Sequence, residues 1–246
     1  MLNKELEGIV VSFRDYREND AMLHVLCKEY GILSLVAKGI QKVKSKNAPA
    51  CQLFTHVRMQ IRYSETKTLH TLCSAEIIHS FRKIREDLLK QSIATYFCEC
   101  MDASKFEEDQ FEFLYSCLSI LEKTTHPMRI LCLFQSVMNR MHGIEPYVDG
   151  CVRCGSQKGI YGISTLDGGF VCKSCFQTMK DEAKPKEDLT CFRLLCKARL
   201  EHYSILESYG VFTFAHFLDL YQFFYEYSGI SVRSIKFLKM VAEMEV

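Results

Sequence analysis

The chain of 246 residues contains no tryptophan and only four prolines, and its formal net charge is +1. It also lacks any apolar run close to the ~18 residues that a transmembrane helix needs. Its first residues, MLNKELEGIVV, carry acids where a secretion signal would be basic. With 48% hydrophobic and 25% charged residues, the composition is that of a globular protein. We therefore expect a cytoplasmic protein of one large or two modest domains, without a membrane partner.

Signatures of catalysis are also missing. There is no Gly-rich phosphate loop with a following Lys-Ser/Thr, and the pair Gly168-Gly169 belongs to a predicted hairpin. No Ser-His-Asp, Cys-His or paired-carboxylate spacing stands out, and His216 lies in an aromatic helical segment where a packed role is expected. The sequence thus argues against an enzyme such as a nuclease or a nucleotide-dependent ligase.

Cysteine, in contrast, is abundant, with thirteen residues. The number is odd, the residues are scattered and no export signal is present, so we expect free thiols in a reducing compartment. Nine of them lie mostly among apolar neighbours and are predicted to be small buried side chains: Cys27, Cys51, Cys73, Cys98, Cys100, Cys117, Cys132, Cys191 and Cys196.

The other four form Cys151-x-x-Cys154 and, after seventeen residues, Cys172-x-x-Cys175. Four thiolates in this spacing can close a tetrahedral shell around Zn²⁺, and they leave no open position for catalysis. Two short strands, GIYGIS and GGFVC, are predicted between the pairs, joined through Asp167-Gly168-Gly169. The pattern therefore predicts a structural zinc ribbon; two redox pairs or a chance arrangement are the alternatives.

Residues 1 to about 80 follow the two-residue period of strands. Ile9, Val11 and Phe13 alternate with their neighbours, and AMLHVLCKEYGILSLVAKG indicates two strands that turn at Glu29-Tyr30-Gly31. Val57 to Tyr63 alternate again, and TLHTLCSAEII forms a fifth strand. Five short strands fit an OB-fold barrel, but the count fits an SH3-like barrel as well.

Beyond residue 80 the period becomes helical. Three helices are predicted, SFRKIREDLLKQSIATYFCECMDAS, DQFEFLYSCLSILEK and HPMRILCLFQSVMNRMHG, the last with Thr125 as N-cap, Pro127 in its first turn and Gly143 as its end. After the cysteine segment, AKPKEDLT is predicted as a polar linker. Two or three further helices should follow from about 188 to 245, broken at Gly210 and Gly229, with the aromatic FTFAHFLDLYQFFYEY in the core.

Basic residues cluster within the predicted barrel although the whole chain is nearly neutral. AKGIQKVKSK contains Lys38, Lys42, Lys44 and Lys46 without an acid. Arg14 and Arg17 lie on the first connection between strands, and Arg58 and Arg62 share one strand face. A basic loop beside a barrel face is how OB-folds hold the backbone of single-stranded nucleic acid. Charge alone does not separate this interpretation from a solubilising loop.

Several segments resemble, in order, the RecO family of recombination mediators. GIVVSFRDYRENDAMLHVLCKEYGILSLVAKGIQKVKS has the family's Gly-Ile-Val opening and basic loop, together with its characteristic residues Tyr16, Glu18, Asp20, Gly31, Ala37, Lys38 and Gly39. MRILCLFQSVMNRMHGIEPYVDGCVRCG is similar to the helix that leads to the first cysteine pair, FVCKSC to the second pair, and SVRSIKFL to the closing helix. The resemblance covers nearly the whole chain.

The resemblance implies an α+β protein. An N-terminal five-stranded OB-fold barrel, residues 1–80, would bind nucleic acid and be followed by an all-α domain, residues 81–246, with an inserted zinc ribbon at about 147–180. Lys38 matches the family's Ala-Lys-Gly, and Lys42, Lys44 and Lys46 fall on its basic loop. Lys46 stands where many relatives have Arg, so it keeps the charge but loses a bidentate grip on phosphate.

The resemblance also implies function and partners. Family members bind single- and double-stranded DNA without sequence preference and anneal strands coated with single-strand-binding protein. With their partner RecR they help to load the recombinase RecA, and RecF is an indirect partner. We therefore expect a non-enzymatic, nucleoid-associated mediator of DNA repair with structural Zn²⁺. The alternative is a protein–protein scaffold of a repair complex without direct DNA contact.

Overall fold

The computed structural model describes residues 2–104 and 110–244. The described residues of 1–125 and 232–246 form one compact unit, and residues 126–231 form the other. The last helix of the chain thus belongs to the same unit as the first strands. Asp109, at the start of the second predicted helix, lies outside the described residues.

The first unit is built on five strands: β1 Leu2–Tyr16, β2 Asp20–Cys27, β3 Gly31–Ala37, β4 His56–Tyr63 and β5 Leu69–His79. They close into a barrel in the order β1-β2-β3-β5-β4, with β4 antiparallel to β1. Strands β3 and β5 pair in parallel, and the other pairs are antiparallel. This Greek-key closure is the OB-fold, which decides against an SH3-like barrel.

In the described part of the chain, seven α-helices follow in order: α1 Arg82–Arg85, α2 Leu88–Ala103, α3 Gln110–Lys123, α4 Pro127–Met141, α5 Lys186–Lys197, α6 Phe214–Tyr227 and α7 Ile235–Met244. Two short 3₁₀ helices, Leu200–His202 and Ile205–Tyr209, lie between α5 and α6. The fold class is thus α+β, as predicted. No helix of the described residues is long and apolar enough to cross a membrane.

In the first unit, α2 and α3 pack on the barrel wall beside β1 and β2. The His24 Nδ1 of β2 lies 2.6 Å from an Asp102 carboxylate oxygen of α2. Helix α7 packs on α2, where the Glu99 carboxylate accepts hydrogen bonds from the backbone N–H groups of Arg233 and Ser234, both at 2.8 Å. The carboxylate therefore satisfies free N–H groups immediately before α7.

In the second unit, α4 is buried among α5 and α6. Its Asn139 amide donates to the Leu220 carbonyl at 2.9 Å, and its Ser136 hydroxyl donates to the Leu195 carbonyl at 2.6 Å. Phe217, Phe223 and Phe224 of α6 are buried, so the aromatic segment belongs largely to the core as predicted.

A three-stranded sheet in the second unit carries the cysteine pairs. Strands β6 Ile160–Ser164 and β7 Gly169–Cys172 form the expected hairpin, and a two-residue strand, β8 Glu182–Ala183, adds to the free edge of β6. Gly169 permits close approach of the backbone at Tyr147, since an added Cβ would lie 2.2 Å from the Tyr147 carbonyl oxygen. The third strand was not predicted.

Local details differ from the sequence-based expectations at the helix ends. The first helical segment divides at 86–87, because Asp87 is extended and its carboxylate accepts the Lys90 N–H at 2.9 Å, starting a new helix. Helix α4 has His126 rather than Thr125 at its N-cap, while Pro127 begins it as predicted. The linker AKPKEDLT is mostly helical, because α5 begins directly after Pro185.

All thirteen cysteines lie in the described part of the chain and are free thiols. Of the nine predicted to be buried, Cys73 is exposed on β5 and Cys191 is half-buried, and the rest are buried. Cys73 departs from the expectation because its side chain points outward from the barrel.

Candidate nucleic-acid interface and metal centre

The lysine-rich segment begins the long connection from β3 to β4, residues 38–55, and is tied down at both ends. At its start, the Gly39 N–H donates to the Asp20 carboxylate at 2.7 Å and the Gln41 N–H donates to the Asn19 carbonyl at 3.1 Å. Between them, Ile40 is buried in the barrel core. At its other end, the Asn47 side chain bonds the backbone of β5. Residues 41–46 are therefore an anchored loop and not a free tail.

Between these anchors the lysines point to solvent. Lys38, Lys42, Lys44 and Lys46 are exposed. Within residues 2–104 and 110–244, none of the four lies within ion-pair distance of a carboxylate. Val43, at the middle of the loop, is fully exposed. The loop thus presents positive charge that no carboxylate of the described residues neutralises.

Arg14 and Arg17 lie at the same end of the barrel as the loop. The turn that carries Arg17 joins β1 to β2, and its backbone accepts the Gln41 N–H described above. The Arg17 guanidinium lies over the Tyr16 ring, 5.1 Å from its centre. Two of the neighbouring acids bind the loop: Asp20 accepts from the Gly39 N–H, and Asp15 accepts from the Gln41 side-chain amide at 2.8 Å. Asp20 thus holds the backbone of the loop and Asp15 one of its side chains, and neither acid lies within ion-pair distance of the four lysines.

Strand register brings Arg62 into the same region. Arg14 is paired with Met22, Met22 with Val36, Val36 with Thr71, and Thr71 with Arg62. Paired residues project from the same face of a sheet, and the alternate residues, such as Leu23 and Leu35, fill the barrel interior. Arg14 and Arg62 therefore stand at the two ends of one outward row, about 19 Å apart along the wall at ~4.8 Å per strand.

Arg58 has different surroundings. It is paired directly with Glu7 on β1 and with Glu76 on β5, and its Nε lies 3.8 Å from a Glu5 carboxylate oxygen. Acids thus surround its guanidinium on both neighbouring strands. The structure brings together Lys38, Lys42, Lys44, Lys46, Arg14, Arg17 and, through the row, Arg62, but it places Arg58 in an acidic setting.

Lys67 is a further cation that the sequence pattern did not single out. It lies exposed in the turn between β4 and β5, two residues before Leu69, which pairs with Ser34 of β3. A lone lysine in a short turn gives no local signal. It lies in the connection between Arg62 and Thr71, two paired members of the outward row.

The four cysteines Cys151, Cys154, Cys172 and Cys175 meet at one point. Their sulfur atoms all lie within 4.8 Å of one another, and the Sγ atoms of Cys154 and Cys172 are 3.7 Å apart. Tetrahedral zinc with Zn–S bonds of about 2.3 Å requires sulfur atoms about 3.8 Å apart. The four residues could therefore hold a metal ion.

Both cysteine pairs are shaped by backbone turns. In the first, Gly155 has a φ of +74° and its N–H donates to the Cys151 carbonyl at 2.8 Å. In the second, the Cys175 N–H donates to the Cys172 carbonyl at 3.0 Å. The positive φ favours glycine at position 155, as expected where the turn of a Cys-x-x-Cys pair directs its backbone N–H groups toward sulfur.

The sulfur atoms also influence each other electrostatically. Burial alone would raise the pKa of the Cys151 thiol, but backbone N–H groups that point at its sulfur lower it to about 6. Contact with the sulfur atoms of Cys154 and Cys172 raises the pKa of Cys175 to about 12. Negative charge on neighbouring sulfur atoms opposes the ionisation of each thiol, and a bound cation would offset this repulsion.

Comparison with known proteins gives the same family for both parts of the chain. The family model described as Recombination protein O N terminal matches residues 1–81, and Recombination protein O C terminal matches residues 85–202. A DNA repair protein RecO from Bacillus subtilis is 32% identical over 253 residues, covering 100% of this chain and 97% of the relative. The chain belongs to the RecO family. RecO proteins from Halalkalibacterium halodurans and Bacillus pumilus are 31% and 32% identical, each covering 97% of the chain and 95% and 94% of the relative.

Membership of the RecO family confirms the resemblance found in the sequence. It agrees with the five-stranded barrel at the N-terminus and the helices that follow. The roles of the individual basic residues stay predictions that rest on their placement.

Proposed function

We propose that this chain acts in DNA repair as a non-enzymatic recombination mediator. It binds single- and double-stranded DNA without sequence preference and anneals complementary strands. With RecR it helps to load the recombinase RecA, it engages strands coated with single-strand-binding protein, and RecF is an indirect partner. The site of action is the cytoplasm, at the nucleoid. Residues 1–80, the barrel within the first compact unit, form the DNA-binding domain. Residues 81–246, whose helices are divided between the two compact units, form the helical domain with the module at about 147–180.

The observation that supports this proposal is a set of cations around one outward face of an OB-fold barrel that form no ion pair within the described residues. The anchored loop carries Lys42, Lys44 and Lys46 on one side of that face, and Arg14 and Arg62 stand at the ends of the row. Spacing of this kind suits a polyanion that runs across the strands, because each cation releases a counterion from a phosphate. Arg58, set among acids, contributes less.

Annealing then needs no catalytic residue. Lysines that neutralise the phosphates of two strands reduce the repulsion between the strands and raise their local concentration. Base pairing between the strands supplies the sequence specificity. Contact through phosphates alone is consistent with binding that has no sequence preference.

We also propose that the four cysteines hold a structural Zn²⁺. Soft thiolate ligands in a tetrahedral set select zinc, and a full set of four leaves no position for water or substrate. When bound, the ion supplies folding energy to a small module. The cluster of buried side chains at the site consists of Cys151, Val171 and Cys172, with Val152, Ile160, Cys175 and Phe176 partly buried against it.

Fluorescence anisotropy of a labelled oligonucleotide, titrated at low and high salt with single and double strands, tests the proposal. For about five contacted phosphates, log affinity for single strands should fall with log salt at a slope of roughly −3.5. A strand-annealing assay should show acceleration by the protein. Absence of binding at low salt would favour the scaffold without DNA contact, and turnover of DNA would show an enzyme.

A further inference from the structure

One arginine lies inside the first cysteine pair and reaches the second. Arg153 donates through Nη1 to the Cys175 carbonyl at 2.5 Å. The same guanidinium binds the Asp181 carboxylate with two hydrogen bonds, from Nη1 at 2.6 Å and from Nη2 at 2.7 Å. Its Nε donates to Asp167, in the turn of the hairpin, at 2.7 Å. A single side chain thus joins both cysteine pairs, the hairpin turn and the segment that leads to β8.

Asp181 is the buried centre of this network. Its side chain is fully buried, whereas Asp167 is 44% exposed. Besides Arg153, Asp181 accepts the Gln177 N–H at 2.7 Å, and its own N–H donates to the Gln177 carbonyl at 2.9 Å. The turn that follows Cys175 is therefore closed around the carboxylate. A bidentate charged pair of this kind fixes orientation as well as distance.

We propose that Arg153 and Asp181 are positioning residues of the metal site, which hold the second cysteine pair against the first so that the four sulfur atoms are in place before an ion binds. This inference rests on the zinc site proposed above. Neither residue is a ligand. They act through the backbone of Cys175 and the turn after it, and partners outside the ligand shell commonly contribute 10- to 100-fold to metal affinity.

The geometry explains why an arginine is required. Lysine at position 153 would keep one positive charge but lose the planar fork that binds the Cys175 carbonyl and both Asp181 oxygens together. Asp181→Asn keeps the shape of the side chain but replaces one acceptor oxygen with an NH₂ group that cannot accept from the guanidinium. Both changes therefore loosen the connection between the pairs and leave every cysteine in place.

The test is zinc affinity and release in the full-length chain. R153K, D181N and a control, K173A, are loaded with zinc and titrated with a chromophoric chelator. Lys173 lies inside the second cysteine pair, is exposed and forms no ion pair within the described residues, so it is matched in position and charge. We expect R153K and D181N to bind zinc at least 10-fold more weakly and to release it faster, and K173A to stay within about twofold of the native protein.

Cobalt spectra separate positioning from loss of structure. At saturating Co²⁺, R153K and D181N should still show the bands of a tetrahedral four-thiolate site, reached only at higher metal concentration. Native affinity and native release rates in both variants would overturn the inference while leaving the zinc site intact. A native protein that binds no zinc would instead remove the metal site itself. If R153K does not accumulate, the isosteric D181N decides.

Discussion

Removing three lysines from the anchored loop should change the salt dependence of DNA binding in a way that can be worked out in advance. Lys42, Lys44 and Lys46 lie between the buried Ile40 and the hydrogen-bonded Asn47. Their side chains point to solvent and make no ion pair within the described residues. Replacing all three with alanine therefore removes charge without breaking a contact that holds the loop.

The expected magnitude follows from counterion release. Each phosphate contact contributes about 0.7 to the slope of log affinity against log salt for single strands. Loss of three contacts should make the slope less steep by about two units, from roughly −3.5 to roughly −1.5. The affinities should converge near 1 M salt and differ by about 100-fold at 0.1 M. Strand annealing at low salt should slow as well.

The assay is oligonucleotide anisotropy across a salt series, with R58A as the matched control. Arg58 is also an exposed cation on the barrel, but Glu5, Glu7 and Glu76 surround it, so its loss should shift the slope by less than about half a unit. Equal melting temperatures would show that the triple variant keeps its fold. A slope unchanged from that of the native protein would refute the role of the loop.

Three further outcomes are expected. Cys172→Ser should abolish stoichiometric zinc binding and lower the melting temperature of the second unit, whereas replacement of the exposed Cys73 with serine should do neither. Metal analysis that finds no zinc in the native protein would contradict this. Glu99→Ala should lower the free energy of unfolding by about 1–2 kcal/mol, measured with urea, because two N–H groups before α7 lose their acceptor; an unchanged value would count against the cap. Burial lowers the pKa of His56, although Glu7 opposes this, so the free energy of unfolding should be highest above pH 6.5 and decline below it as the unfolded chain takes up the proton. The decline, at most about 1.4 kcal/mol per pH unit, should become shallower in His56→Gln. An identical pH profile in the variant would contradict the assignment.

The parts of this protein that are local in sequence could be predicted from it. Each cysteine pair spans four residues and was identified from its spacing, and the hairpin between the pairs was predicted from its two short strands and the turn Asp167-Gly168-Gly169. The turn at Glu29-Tyr30-Gly31 was also predicted from local residues, and in the structure Gly31 has the positive φ, +64°, that favours glycine in a turn. Cysteine and glycine patterns are informative here because chain geometry over a few residues decides the structure.

Strand β1 shows where the alternation of apolar and polar residues does not predict which side chains are buried. Gly8 to Val11 are four consecutive buried residues, since the barrel interior covers one face of the strand and α2 and α3 pack on β1 from outside. A bulge between Val10 and Ser12 then shifts the pairing with β2. A strand that is buried on both faces does not show a polar side, so periodicity cannot tell which of its residues fill the barrel.

The basic surface depends on a long-range feature that no local pattern contains. Arg58 and Arg62 share a strand face in the sequence, and their charges appear equivalent there. In the barrel, Arg58 meets Glu7 of β1, which is distant in sequence. Arg62, four residues later, stands in the row with Arg14 through the parallel pairing of β3 with β5. Register between strands distant in sequence therefore separates two arginines that sequence reasoning had grouped.

The two sites should fail independently, because the two units are stabilised by different means. Fifteen buried residues from all five strands and the β3–β4 connection form the barrel core, which folds around apolar side chains alone. At the four cysteines the cluster of buried side chains is small, Cys151, Val171 and Cys172, and we propose that the Arg153 network and a metal ion add to its stability. Removal of the metal with a chelator should therefore unfold the segment that carries the four cysteines, while the lysine loop, anchored to the barrel, should still bind DNA with the same salt dependence. If the chelated protein anneals strands poorly but binds oligonucleotides with an unchanged slope of log affinity against log salt, the cysteine segment acts in a step that follows DNA binding.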